Sequence, residues 1–286
     1  MRVIPKPQLS FSDVLNTCVG SISDQTLTLK LNAINTQIDN AIQDFDAKAS
    51  TSDLYQIHTF NGIDTDLVTG QVTKAELKGL YTFQMVPAAK PARQYYDHIM
   101  MRAPLRICPF CGFGQVTTLD HYLPKAKFPL LSIHPNNLVP SCADCNKGKS
   151  ARIAITKGLQ SIHPYFDQAH FINEQWLFAR VTETSPATIR YYAQPPTGWS
   201  ADDQARITNH FDDFKLAQRF CIQAGDELSN LRGELEIDFQ ISEKTGVELA
   251  LRKKFAGTYQ QHVNSWRTAL YQALMQNNWY CSGGFK

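Results

Sequence analysis

The chain has 286 residues, 43% of them hydrophobic, a length and composition that suit one or two domains with a buried core and exclude a low-complexity chain. A net charge of +2 does not by itself mark a nucleic-acid binder. Seven cysteines, an odd number, with neither a secretory apolar region at the N-terminus nor a long apolar run, point to a soluble cytoplasmic protein with no membrane span, in which paired cysteines are metal ligands rather than disulfides.

Residues 1–24, interrupted by Pro5 and Pro7, show no regular pattern. From Thr26 onward, Leu27, Leu31, Ile34, Ile38, Ile42 and Phe45 recur at three- and four-residue steps and predict a helix with one apolar face. Residues 48–72 read as loop, with Asn61-Gly62 a turn. Thr73-Lys74-Ala75-Glu76 reads as a capping box that opens a helix bearing Leu77, Leu80 and Tyr81, and Pro87 and Pro91 end it. Residues 92–102 predict a short helix carrying His98, which as a lone histidine reads as packing or surface. Short strands and loops follow to about Pro140, then a helix from about Cys142. Beyond His163-Pro164-Tyr165-Phe166-Asp167, the runs 176–181 and 188–192, joined by polar residues and Pro186, predict a hairpin. Helical patterns then carry Ile207, Phe211, Phe214 and Phe220, and next Leu228, Leu231 and Leu235. A last amphipathic helix is predicted to carry Leu251, Phe255, Tyr259, Val263, Trp266, Leu270 and Leu274, all read as core.

The informative stretch is 108–149. It is bracketed by two Cys-x2-Cys pairs, Cys108/Cys111 and Cys142/Cys145. Four thiolates in two such knuckles complete a tetrahedral zinc shell with no position left for substrate, so this metal is structural. Thirty residues separate the pairs, more than the roughly 15–20 of a zinc ribbon, so the clamp encloses more than a hairpin. Charge gathers here too. From Arg102 to Lys157 there are eight basic residues (Arg102, Arg106, Lys125, Lys127, Lys147, Lys149, Arg152 and Lys157) against Asp120 and Asp144. A local net of +6 on a near-neutral body suits a polyanionic substrate, or else a solvated basic face.

Inside the brackets lie Asp120-His121 and Asn137 in Asn-Leu-Val, and Asn146 stands directly behind the last cysteine. Phosphodiester hydrolysis needs a base for water and a cation for the transition state and the leaving oxygen. Histidine is suited to the first, and Mg2+, which keeps several waters, needs only one or two oxygen ligands for the second. Asp120 and His121 point to opposite faces of an extended strand, so they serve one centre only where the backbone curves.

The pattern Cys-x2-Cys, Asp-His-x-x-Pro, Asn-Leu-Val, Cys-x2-Cys-Asn-x-x-Lys resembles the HNH endonuclease family and its ββα-metal fold, over about residues 102–155. The resemblance implies that Cys108, Cys111, Cys142 and Cys145 hold structural Zn2+, that Asp120 and Asn146 hold a catalytic Mg2+ or Mn2+, that His121 is the general base, and that Asn137 orients the loop bearing it. Asn146 stands where the family often has a final histidine, which favours the harder ions. Asn136 is an alternative to Asn137. Lys125, Lys147 and Lys149 are candidate phosphate contacts. His134 reads as a turn residue or an extra ligand, and His163 and Asp167 as candidates to line the site. Tyr95-Tyr96-Asp97, LDHYLPK and the C-terminal Trp-x-x-Ala-Leu-Tyr-x-Ala-Leu are similar to HNH proteins of bacterial antiphage systems, of the Septu and retron-associated types, which work with an ABC-type ATPase. No Gly-x4-Gly-Lys-Ser/Thr pattern occurs, so ATP dependence would come from such a partner.

The expected architecture is mainly α with an embedded ββα-metal zinc module and a small β-hairpin in the C-terminal part. Residues 1–101 form a helical region, 102–160 the module, and 161–286 a mostly helical region for partner docking or homo- or hetero-oligomeric assembly. The expected activity is divalent-dependent cleavage of DNA, with RNA as an alternative substrate. The rival is a non-catalytic, zinc-stabilised nucleic-acid-binding or interaction subunit.

Overall fold

The computed structural model of the protein describes residues 1–148 and 153–286. The chain divides into two compact units, Arg2–Asp167, and Gln168–Lys286 together with Met1. The described residues are mainly helical, with three small two-stranded antiparallel sheets. Among the described residues no helix is long and apolar enough to cross a membrane.

The first unit opens with α1 (Phe11–Gly20), where the sequence showed no pattern. Pro5 and Pro7 precede this helix rather than break it. The Ser10 hydroxyl accepts the Asp13 N–H as an N-cap, and Val14, Leu15, Cys18 and Val19 form the buried stripe. The helix predicted from Thr26 is two helices, α2 (Gln25–Asn32) and α3 (Asn35–Ser50). The break falls at Ala33-Ile34, and Ile34, 1% exposed, packs under the next turn. That turn joins β1 (Leu67–Thr69) to β2 (Val72–Thr73) through Gly70 at φ +54°, where an added Cβ would lie 2.8 Å from Ile34 Cγ2. Only glycine meets both demands. The capping box is complete: Thr73 Oγ1 accepts the Glu76 N–H and Glu76 Oε2 accepts the Thr73 N–H, opening α4 (Lys74–Gly79). A π-helical turn, Leu80–Met85, carries that element to the stop at Pro87, and α5 (Arg93–Met100) follows.

Next come β3 (Thr118–His121) and β4 (Leu138–Ser141), a hairpin between the cysteine pairs, and the short α6 (Ala143–Gly148), which carries Cys145 of the second pair. Thr118 pairs with Ser141, Leu119 with Pro140, Asp120 with Val139 and His121 with Leu138. The Tyr122 N–H donates to the Asn137 carbonyl, which makes the even-numbered residues of β3 the hydrogen-bonded ones. Pro140 therefore sits opposite Leu119 at a non-hydrogen-bonded position, where a missing N–H leaves no gap. The outward carbonyls of the ribbon meet tyrosines: the Tyr81 hydroxyl donates to Leu119 (3.3 Å) and the Tyr165 hydroxyl to Leu138 (2.8 Å). Burial pushes both phenols well above their ordinary pKa, so they stay donors.

The second unit holds α7 (His170–Asn173), the expected hairpin β5 (Leu177–Thr182) and β6 (Thr188–Ala193), then α8 (Ala201–Asp213), α9 (Leu216–Gln261) and α10 (Trp266–Gln276). The hairpin packs on α9 and α10. Two predicted helices are broken. The stripe from Ile207 to Phe220 turns at Lys215, at φ 51°, and α9 is itself interrupted at Ser242 and Glu243. The stripe from Leu251 to Leu274 is two helices, because Ser265 caps α10 through the Thr268 N–H and Asn264 lies between them. Tyr259, read as core, is 41% exposed. Asn264, 1% exposed, replaces helical continuity with a polar hub: its Oδ1 accepts the Trp176 and Leu177 N–H groups at 2.8 and 3.1 Å, and its Nδ2 donates to the Glu174 carbonyl at 2.8 Å. Asn264→Ala leaves two buried donors without an acceptor. It is expected to lower the stability of this unit by about 2–4 kcal/mol, measured as a denaturant midpoint shift.

Candidate metal centre and active site

The two knuckles bring four sulfurs together. The Sγ atoms of Cys108, Cys111, Cys142 and Cys145 lie within 4.8 Å of one another, and all four residues are buried. Four thiolates about 2.3 Å from a tetrahedral zinc are roughly 3.8 Å apart, so this cluster can hold one. The backbone is shaped to it: the Gly114 N–H donates to Cys111 Sγ (3.3 Å) and the Cys145 N–H to Cys142 Sγ (3.4 Å). Gly114 is required by proximity, since a Cβ there would lie 2.9 Å from Cys142 Sγ. Left to themselves, four buried sulfurs cannot all ionise. Burial pushes the Cys108 thiol far up, while contact with Cys108 holds Cys111 far down. A dication removes that conflict.

Between the knuckles, Asn137 is fully buried and its side chain makes three hydrogen bonds. Its Oδ1 accepts the Leu123 N–H (2.7 Å), and its Nδ2 donates to the carbonyls of Leu123 (3.0 Å) and Leu131 (3.2 Å). It thus ties both ends of the loop that follows His121. Asn136 and His134 turn away to Asp46 Oδ1, at 2.9 and 3.1 Å, and His134 packs edge-on against Phe45. His134 is a buried turn residue packed against α3. His163 is likewise packing, tilted against Tyr122 with centroids 4.1 Å apart, and Asp167 bonds the His163 N–H and Ser52.

His121, 9% exposed, ends β3 with Nε2 2.8 Å from the Ser132 carbonyl. A carbonyl only accepts, so this contact puts the proton on Nε2 and leaves the lone pair of the neutral ring on Nδ1. Ser132 is itself pinned, its hydroxyl donating to the Leu77 carbonyl (2.7 Å). The other side of the imidazole meets the Tyr81 ring, with centroids 4.5 Å apart at 72°. Asp120, 7% exposed, alternates with His121 along the strand and shares a face with Thr118. Asn146 Nδ2 donates to Thr118 Oγ1 (3.2 Å), which brings α6 over that same face. Asp120 and Asn146 thus lie on one side of the strand. The Asp120 carboxylate lies close enough to Tyr81 to help raise its pKa, after burial and Tyr96. Tyr81 therefore adjoins both halves of the Asp-His pair.

Lys125 is half-buried. Its Nζ lies 4.5 Å from the Tyr81 ring centroid and donates to Thr82 Oγ1 (2.8 Å), and burial lowers its pKa. Lys147 is exposed beside Asn146. Lys149 lies outside the described residues. Sequence reasoning missed Tyr81 and Ser132. Tyr81 was read as part of an apolar stripe, and its proximity to Lys125 and His121 depends on the π-helical turn that carries it.

Over an alignment of 302 residues, covering 99% of this chain and all of the relative, the chain is 30% identical to Protein ea31 of Escherichia phage lambda. No family model matches the chain, and no solved structure does. Chelation of the metal at neutral pH is expected to lower the thermal midpoint and the helical circular-dichroism signal. Gly114→Ala is expected to leave zinc below one equivalent per chain by elemental analysis.

Proposed function

The chain belongs to the family of the phage lambda Protein ea31, and we propose that it is an HNH-type, metal-dependent endonuclease cleaving nucleic-acid phosphodiester bonds, with DNA as the favoured substrate. The observation that carries this reading is a hairpin held between two cysteine pairs and followed by a helix that carries the last cysteine, with Asp120 and Asn146 on one side of the strand and His121 fixed by Ser132 with Nδ1 as its basic nitrogen.

The donor set of Asp120 and Asn146 fits a hard divalent ion that keeps its waters. Such an ion supplies charge neutralisation at the scissile phosphate and the leaving oxygen. The protein's own part is proton transfer and positioning. His121 Nδ1 takes the proton of the attacking water while Nε2–H stays on Ser132. Asn137 holds the loop behind it, so the ring does not reorient between cycles. Lys125 and Lys147 contact phosphates flanking the bond. Asp120 and His121 are both less than a tenth exposed. That burial supports a nuclease restrained until a substrate or partner engages it; the role we propose is the nuclease effector of a bacterial antiphage defence system, with an ABC-type ATPase as its partner.

The test compares wild type with His121→Ala and Asp120→Ala, each with Mg2+ or Mn2+, on plasmid DNA, linear DNA and RNA, with zinc content checked. Wild type is expected to cleave, and His121→Ala to lose about a hundredfold or more in rate at unchanged zinc. Equal cleavage by the mutants overturns the catalytic assignment. Zinc-loaded wild type inert even with the ATPase would leave a nucleic-acid-binding module.

A further inference from the structure

The chain enters the first knuckle through a turn whose backbone is unusual. Between buried Ala103 and the Ile107–Gln115 bridge, both Leu105 and Arg106 adopt φ of 55°. Two successive left-handed residues, neither glycine nor asparagine, persist only where their surroundings hold them. Here the Arg106 N–H donates to Ala103 O (3.0 Å), and Arg106 O accepts the Val116 N–H (2.8 Å). The turn thereby holds Leu105 outward at 85% exposure, with Met101 68% exposed at the end of α5.

The charge around this tip is selective. Of the basic residues described in 102–157, Arg102 bonds His98, Lys125 bonds Thr82, Lys127 bonds Asn61, and Lys157 bonds Asp53. Among the described residues, Arg106 and Lys147 have no ion-pair or side-chain hydrogen-bond partner. Both connect through short links to the strand that carries Asp120. Val116, bonded to Arg106, lies two residues before Thr118, and Thr118 bonds Asn146, the neighbour of Lys147.

We propose that the turn 103–107 is a wedge for double-stranded DNA, with Leu105 entering a base-pair step from the minor groove while Arg106 and Lys147 contact the flanking phosphates. The inference rests on the nuclease reading and names how that site would grip its substrate. An apolar tip beside a free cation is the chemistry that unstacks and kinks a duplex. No aromatic residue stands in 101–107 to serve as a stacking platform for a single strand. The shallow minor groove of A-form RNA offers such a tip little depth.

The test uses full-length His121→Ala protein, so that no cleavage accompanies titration, and a short DNA duplex carrying 2-aminopurine. Binding is expected to raise the fluorescence. Leu105→Gly removes the wedge and suits the positive φ. It is expected to abolish the rise and weaken binding at least tenfold, with zinc unchanged and the thermal midpoint equal or higher. Leu105→Met is expected to restore most of the rise. Arg106→Gln is expected to weaken binding and reduce the slope of log affinity against log salt by about one. Parent-like affinity and fluorescence in Leu105→Gly would overturn the wedge, as would equal signals with single-stranded DNA or an RNA duplex, or no duplex binding by the parent. The nuclease reading fails separately, through cleavage that does not depend on His121.

Discussion

The convergence of four sulfurs is the constraint on which the site depends. A two-stranded ribbon of four-residue strands and a six-residue helix are each too small to be stable alone. The cysteine cluster joins the two ends of this segment, and the intervening chain is thereby held as a closed loop. Gly114 shows how tightly the frame is drawn, since not even a methyl group fits between that backbone and Cys142.

A metal clamp alone would leave the ribbon's outer edges open. In the first unit those edges are closed by hydroxyls from elements outside the clamp, Tyr81 on one strand and Tyr165 on the other. The segment that begins with the Thr73 capping box does more than fill a core. Its Leu77 carbonyl pins Ser132, Ser132 orients His121, and its Tyr81 packs on the other side of the same imidazole. The cap that starts a helix and the geometry of a candidate base are therefore linked through one short element. This linkage gives a physical reason for helical regions to surround so small a metal module.

The local excess of positive charge resolves in a similar way. Of the six described basic residues in that stretch, four are engaged with their own unit, and half-buried Lys125 lies over an aromatic ring. A count of charges describes a field, but which cations remain available to a polyanion is decided by packing.

The sequence by itself determined the features that depend on short spacing. The two cysteine pairs, the capping box at Thr73, the hairpin of the second unit and the helix after Cys142 all follow from residues a few positions apart, because knuckles, caps and turns are local structures. It also carried the positions of Asp120, His121, Asn137 and Asn146, but not the reason Asn137 rather than Asn136 ties the loop, since that depends on Asp46 drawing Asn136 away. Tertiary structure decided where apolar stripes stop being one helix. Ile34 turns over Gly70 and Asn264 collects backbone groups from the start of β5, contacts with partners far along the chain that no 3.6-residue period records. It also decided which nitrogen of His121 is basic, because the carbonyl that fixes the tautomer belongs to Ser132, eleven residues away, and is held there by α4.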